Sequence, residues 1–471
     1  MSFHTETEAI SLHTKAPRLA GLLTRDRSFY QTFVKLAAAL MLEQAVILSV
    51  NLADNIMLGS YSEYALAGVA AVNQIQFVLQ QIVYGVSTGM VILGSQYWGQ
   101  KRTGEIRKLS AIGMRMSLLL VIALFVAVSC FPRQTLGIFT PDEAIISEGV
   151  QYLSIIRFTY LFFGASAVLL GTMRIVESVR IALGVSILSL VLNCSINYIL
   201  IFGHFGAPEL GVRGAAIGTL TARIVECCVF LWYVLVRDKR ISMKLRDFLH
   251  TDRTMLGDFL RVASPVLLTQ ALWGLSNALQ TVILGHMSEV AIAAQSISSN
   301  IFQLLKVTSV GASSAASIII GKTIGEGRSM DKLKEYCRTL QVMFVCIGLI
   351  LGATLFFIRI PILRIYNISD ETRQLANAYM LIQSVVLVTM SYQMPVNGGI
   401  IRGGGDTRFI MIVDLVSIWI IVLPLSFLAA FVWQLSPVIV IMLLNSDQVF
   451  KCVPAFIRCN SYKWVHRLTR D

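Results

Sequence analysis

Charge is the scarcest ingredient of this 471-residue sequence: 14% of its residues are Asp, Glu, Lys or Arg, whereas 55% are hydrophobic. Soluble chains carry roughly a quarter of their residues charged, so a water-borne globular architecture is excluded. Histidine is sparse too, with six dispersed residues, and neither a nucleophilic triad nor a compact metal-ligand set emerges. No phosphate-binding P-loop is present, which removes a nucleotide-driven engine. The eight cysteines include no CxxC pair, and Cys194, Cys227, Cys228 and Cys346 fall inside apolar runs. They read as packing residues rather than a disulfide framework. Residues 1–32 hold His4, His13, Lys15, Arg18, Arg25 and Arg27 without an apolar core, so no ordinary cleaved signal peptide is expected.

What is abundant is apolar sequence in membrane-crossing lengths, for which about twenty residues of helix suffice. Spans are expected near 33–58, 66–93, 110–132, 149–173, 181–203 and 214–236, then 262–286, 292–320, 339–362, 374–401, 410–432 and 436–457. The net charge of +12 lies mainly between these runs, which speaks against nucleic acid as a partner. Lys101, Arg102, Arg107 and Lys108 follow the second span, and Arg237, Lys239, Arg240, Lys244, Arg246 and Arg253 join the halves. The alternate junctions, such as 60–64 and 433–437, carry no positive charge. Positive loops favour the cytoplasmic side, so both termini (1–32 and 458–471) and the 237–261 connector are expected there.

The second half repeats the first. Residues 35–75 align without a gap on 261–301, at an offset of 226, with twelve identities in forty-one positions. Among them are Gln44 and Gln270, Asn51 and Asn277, Gly59 and Gly285, and Ser62 and Ser288. The same step takes Gly99 to Gly325, and a step of 228 takes Gly171, Arg174 and Arg180 to Gly399, Arg402 and Arg408. Polar and small residues match as well as apolar ones, which shared hydrophobicity does not explain. The expected fold is an all-α integral membrane protein: twelve transmembrane helices in two pseudo-symmetric six-helix bundles, 33–236 and 262–457. Six spans per unit place the pseudo-twofold axis along the membrane normal, with a cavity between the lobes.

On these residues the sequence strongly resembles the multidrug and toxic compound extrusion (MATE) transporters over about residues 33–457. The resemblance rests on the NLAD run of Asn51–Asp54 with Leu58 and Gly59, the QYWG run of Gln96–Gly99, and RGGGDTR at Arg402–Arg408. GVRGAAIG at Gly211–Gly218, and Trp419 with Pro424, add to it. It implies alternating-access antiport: a cationic or amphipathic organic compound leaves as protons or sodium ions enter. No cofactor is expected, the partners are a small substrate and membrane lipid, and the unit is expected to act as a monomer. A bacterial inner membrane or plasma membrane is the implied location. A flippase for lipid-linked oligosaccharides or other amphipathic substrates is the alternative.

Asp54 leads the site residues. A carboxylate in mid-membrane is expensive unless paired, wetted or protonated, and the resemblance places it at the family's acidic coupling position. A structural buried acid or a membrane-edge cap is the competing reading. Asn51, one helical turn earlier, is positioned to orient Asp54 or supply a neutral oxygen. The resemblance adds Asn193 and, four residues on, Asn197, where several family members carry an acid; simple helix-packing amides are the alternative. Glu43, about three turns before Asp54, shares its face and reads as an entrance carboxylate, a cation ligand or the partner of a buried base.

In the second half Gln280 replaces Asp54, and Trp273 and Ser391 stand near where some relatives carry acids. Protons are therefore favoured over sodium. Gln270, Trp273, Tyr392, Gln393 and Asn397 are expected to line a substrate cavity, with Asp414 as a remaining acid. Lys306 falls near the middle of an apolar run, which favours a cavity or an acidic partner over snorkelling. Arg157, Arg223 and Glu226 read as buried networks outside the leading site.

Overall fold

The computed structural model describes residues 23–138, 142–249, 252–285, 287–366 and 368–470, almost wholly as helix. His4, His13, Lys15 and Arg18 lie outside the described residues. Among those described, twelve helical rods follow one another. Spans one to six are Arg27–Tyr61, Glu63–Gly99, Thr103–Cys130, the pair Glu143–Ile156 and Thr159–Ile175, Val179–Phe202 and Val212–Arg237. Spans seven to twelve are Arg253–Gly285, Glu289–Gly325, Met330–Ile365, Asp370–Ile401, Thr407–Val432 and Pro437–Ser461. Ten of them, and the span-four pair taken together, are long and apolar enough to cross a membrane. Span seven is the more polar exception, because it carries Thr269, Gln270, Ser276, Asn277 and Gln280.

Several rods exceed the expected lengths: span nine begins at Met330, and span seven at Arg253, inside the stretch read as connector. Span four is not one straight rod but bends by 52° at Arg157 and Phe158. The Arg157 guanidinium lies 5.3 Å from the centre of the Phe158 ring at that bend. Spans ten and eleven open into wide π-helical turns at Val396–Ile401 and Leu415–Val422. Pro395 and Pro424 stand beside them and withdraw backbone donors from the helical ladder.

The repeat has a physical basis at the helix starts. Ser62 caps span two by accepting from the Ala65 backbone, and Ser288 caps span eight by accepting from Ala291. Both serines satisfy orphan amides of the first turn.

The same 226-residue step governs how the lobes meet. Span one packs on span eight and span two on span seven, while spans two and eight meet each other. Gly85 lies so close to span seven that an added Cβ would sit 3.1 Å from Leu267 Cα. Its repeat mate Gly311 would meet Met41 Cα, also at 3.1 Å, and Met41 is the repeat mate of Leu267. Gly99 presses on the Lys322 carbonyl and Gly325 on the Gln96 carbonyl, again an exchanged pair. The pseudo-twofold axis therefore runs between the ends of spans two and eight.

At that end one apolar core crosses both lobes, including Phe33, Met90, Leu93, Phe259, Ile320, Phe344 and Ile400. Towards the opposite end it divides. One core, with Leu58, Val72, Tyr160 and Ile201, belongs to the first lobe, and another, with Leu284, Leu355, Tyr379 and Ile441, to the second. The lobes thus share one core at their closed end, where spans two and eight touch, and keep separate cores at the other.

The first and last described segments cross over at the closed end. Thr24 donates its backbone N–H to Thr339 Oγ1, and the Tyr336 hydroxyl donates to Asp26 at 2.6 Å. That bond holds the Asp26 carboxyl below the usual carboxylate range. The C-terminal tail returns to the first lobe: Gln96 donates to the His466 carbonyl at 3.0 Å and accepts from the Leu468 amide at 2.8 Å. Arg470 grips Asp258 with two bonds of 2.6 and 2.8 Å. Trp464 is fully buried against Gly404.

Candidate ion and substrate sites

Span five brings two amides under span one. Asn197 Nδ2 donates to Asp54 Oδ1 at 2.6 Å and leans on Asn193 Oδ1 at 3.4 Å. Asn193 in turn donates to Thr219 Oγ1 of span six at 3.1 Å. This approach is possible because Gly218 faces Asn197: a Cβ there would collide with the Asn197 amide. Asn197 Oδ1 is buried without a hydrogen-bond partner, so the amide holds an unused acceptor beside the carboxylate.

Asn51 sits elsewhere. It is exposed and lines a cleft of the first lobe, and the amide that reaches Asp54 is that of Asn197. The cleft is bordered by Glu43, Gln80, Tyr84, Asn193, Thr219, Arg223 and Glu226, among others. Arg223 and Glu226, read from sequence as a buried network outside the leading site, line this cleft. They pair at 2.8 Å, with Ser189 donating to Glu226. Arg223 also interacts electrostatically with Asp54.

Glu43 is 1% exposed and accepts from Arg174 at 2.5 Å. Of its three sequence readings, the geometry matches the partner of a buried base. Losing one member of such a pair strands the other, at a cost of about 3–5 kcal/mol, whereas replacing both by apolar residues is often neutral. Glu43→Gln is accordingly expected to lower the detergent melting temperature more than the Glu43→Leu/Arg174→Met double variant. Thermal unfolding by intrinsic fluorescence checks this; equal losses would refute it.

In the second lobe Asp414 does not stand alone. Lys451 of span twelve binds it at 2.8 Å and binds Asp447 at 3.0 Å. From Asp447 a chain of amides runs inward: Gln448 donates to Asp447 at 2.7 Å, Gln393 to Gln448 at 2.7 Å, and Asn397 to Gln393 at 3.2 Å. Tyr392 points away from this chain and donates to Gln341 of span nine at 2.8 Å.

Trp273 and Gln270 face span two, where Trp273 meets Phe77 at 5.9 Å and Gln270 approaches Gln81 at 3.5 Å. Lys306 stands over the Trp273 ring, 5.1 Å from its centre. No carboxylate among the described residues forms an ion pair with it; Asp54, Glu43 and Asp414 are all engaged by other groups.

Sequence reasoning missed Asp447 and Lys451. Their four-residue spacing inside an apolar span was a usable signal, because it places both on one helix face.

The MatE family description matches residues 39–199 and 265–428, one block in each lobe and together well over half the chain. The chain belongs to the MatE family. This MatE protein is 26% identical over 442 residues to the probable multidrug resistance protein NorM of Thermotoga maritima, covering 93% of this chain and 94% of that one. It is 25% identical over 416 residues to the uncharacterized transporter YisQ of Bacillus subtilis, covering 86% and 88%. A crystal structure of a MATE protein in the straight conformation superposes with a TM-score of 0.83 at 18% identity, covering 93% of this chain and 98% of that one. A MATE transporter described as outward-facing gives 0.82 at 18% identity, covering 93% and 99%. These two establish the fold. The MatE family is a transporter family, not a family of enzymes.

Proposed function

We propose that this MatE protein is a cation-coupled antiporter that expels organic compounds by alternating access, with the coupling ion bound at Asp54. The observation that carries the proposal is the Asp54–Asn197–Asn193–Thr219 relay beside the first-lobe cleft, in a molecule whose lobes share a core at one closed end. The positive loops lie at that closed end, which makes it cytoplasmic and the state outward-facing. A coupling cation then reaches Asp54 from outside, and its binding favours substrate release. An ion shifts such an equilibrium only through unequal affinity for the two states. A carboxylate held by one amide donor supplies that inequality when the surrounding helices repack.

Protons rank ahead of sodium, because Asp54 is joined by amides and a hydroxyl and, among the described residues, by no second carboxylate. The relatives named as multidrug resistance proteins support an amphipathic or cationic organic substrate. A bacterial inner membrane and monomeric action complete the reading.

Purified protein in liposomes, loaded with a fluorescent organic cation under separate proton and sodium gradients, tests it. Efflux driven by the proton gradient is the expected result. Lipid transfer without any ion dependence would replace antiport by flipping.

A further inference from the structure

The repeat pairs the loops that follow spans four and ten. Val176 stands 228 residues before Gly404, and each offers its carbonyl to a segment lying across the loop. On the first lobe the donor is Arg240 of the connector, which bonds the Val176 carbonyl at 2.7 Å and Ser178 Oγ at 3.0 Å. On the second it is His466, whose amide bonds the Gly404 carbonyl at 2.9 Å. Arg240 and His466 are themselves 226 residues apart. The segment after span twelve thus lies on the second lobe as the connector lies on the first.

The connector continues into span seven and so joins the lobes covalently. Tyr462–Arg470 joins them through non-covalent contacts alone. Its root is fixed to the second lobe, where Trp464 is buried against Gly404, Val465 bridges Gly405 and Leu468 packs on Gly405. Its later residues reach the end of span two in the first lobe. Gln96 donates to the His466 carbonyl at 3.0 Å and accepts from the Leu468 amide at 2.8 Å. Gln100 donates to Thr469 Oγ1 at 2.6 Å, and Arg102 to the Arg470 carbonyl. Leu468 also packs on the cluster of Ile92 with Val262 and Val266 of span seven.

Across the pseudo-twofold axis the mate of Gln96 is Lys322, which reaches Glu177 of the first lobe directly at 2.5 Å. Both of those groups are partly exposed, so water solvates them readily when the lobes part. Gln96 is fully buried. Without the segment its amide would be left unpaired in the closed junction, and water would satisfy it only once spans two and eight separate. The segment therefore contributes to one state and not to the other, which is what shifts an equilibrium.

We infer that residues 462–470 form a releasable latch that holds the lobes together at the closed end and sets how often that end opens. The latch lets go at Gln96, Gln100 and Arg102 while its Trp464 root stays on the second lobe. The inference rests on the antiport reading, whose alternating states the latch would regulate.

The test uses the full chain in nanodiscs, free of native cysteines, with spin labels at Gly104→Cys and Asp331→Cys. These positions are exposed at the closed end, one in each lobe. Removing residues 466–471 is expected to raise the population with separated labels about tenfold, because a buried amide loses both partners. In a Gln96→Leu background, where that amide is absent, the same removal is expected to add only about twofold. An unchanged distance distribution, or an equal shift in both backgrounds, would overturn the latch.

A second variant decides the matter should the truncated chain fail to insert. Gln100→Cys and Thr469→Cys are joined by a short cleavable bis-methanethiosulfonate in reconstituted protein. Linking is expected to stop proton-driven efflux and reductant to restore it; efflux at the unlinked rate in fully linked protein would overturn the latch. Gradient-driven efflux with distances indifferent to the truncation removes the latch and leaves antiport standing. Efflux indifferent to every gradient in the unlinked protein removes antiport, and the label distances still decide the latch.

Discussion

Asp54→Asn is expected to reduce proton-driven efflux to the rate seen without a gradient, in protein that inserts and melts like wild type. The substitution keeps size and hydrogen-bonding capacity while removing the one titratable group of the relay. Asn197 already contacts this position at 2.6 Å and has an unused carbonyl acceptor. It donates to a charged carboxylate through its Nδ2 and, by turning its amide, accepts from a protonated one. An Asn at position 54 finds the same two complements, so the fold persists. What disappears is the difference between the two ionic states, and with it any means for a gradient to bias the lobes.

Asn197→Ala separates these roles further. It removes the amide without touching the carboxylate, so transport is expected to persist with a displaced pH profile. Reconstituted flux measured over pH for wild type and both variants decides the matter. An Asp54→Asn variant with an unchanged gradient response would end the Asp54 mechanism and leave the fold untouched.

The relay also shows where sequence reading stops. Asp54, Asn193 and Asn197 were identifiable because polar residues in apolar spans are costly and stand out. Asn51 was chosen as the amide beside Asp54 because it lies one turn away on the same helix. The contact instead comes from span five, through a gap left by Gly218, and such close packing between helices has no local periodicity to betray it. Glu43 and Arg174 are 131 residues apart, and only the packed lobe joins them. Lys451 and Asp447 share one face of span twelve, but Asp414, the other carboxylate that Lys451 binds, comes from span eleven, 37 residues away.

The 226-residue repeat, by contrast, was legible and proved informative about packing. Two of its glycine pairs, Gly85 with Gly311 and Gly99 with Gly325, fall where the lobes touch, because the axis brings equivalent backbones together and a side chain on either would hold them apart.

Gly325→Val is therefore expected to prevent closure of this end, proposed above as the cytoplasmic one, and to abolish antiport without unfolding either lobe. A Cβ at this position collides with the Gln96 carbonyl, and the next atoms met, Gln96 C and Cα, are also backbone, at 2.7 and 2.8 Å. No rotamer change relieves such a clash, and valine adds two methyls to it. Overpacking of this kind costs about 1–3 kcal/mol or more, and each 1.4 kcal/mol shifts a two-state ratio about tenfold. The lobes are the parts free to respond, because each keeps its own outer apolar core when they separate. Separation also breaks the tail contacts of His466 and Leu468 with Gln96, so the closed state loses those bonds at the same moment.

Ser95 reports the change, being fully buried at this junction and facing Gly321 of span eight. In a background with the eight native cysteines replaced, Ser95→Cys is expected to resist an impermeant maleimide in inside-out vesicles. With Gly325→Val added, it is expected to label rapidly. Gly104→Ala serves as the control, because a Cβ there meets nothing within 4 Å, and it is expected to leave both labelling and flux unchanged. Protection of Ser95→Cys together with normal flux in the Gly325→Val protein would refute the closed contact between spans two and eight as the cytoplasmic gate.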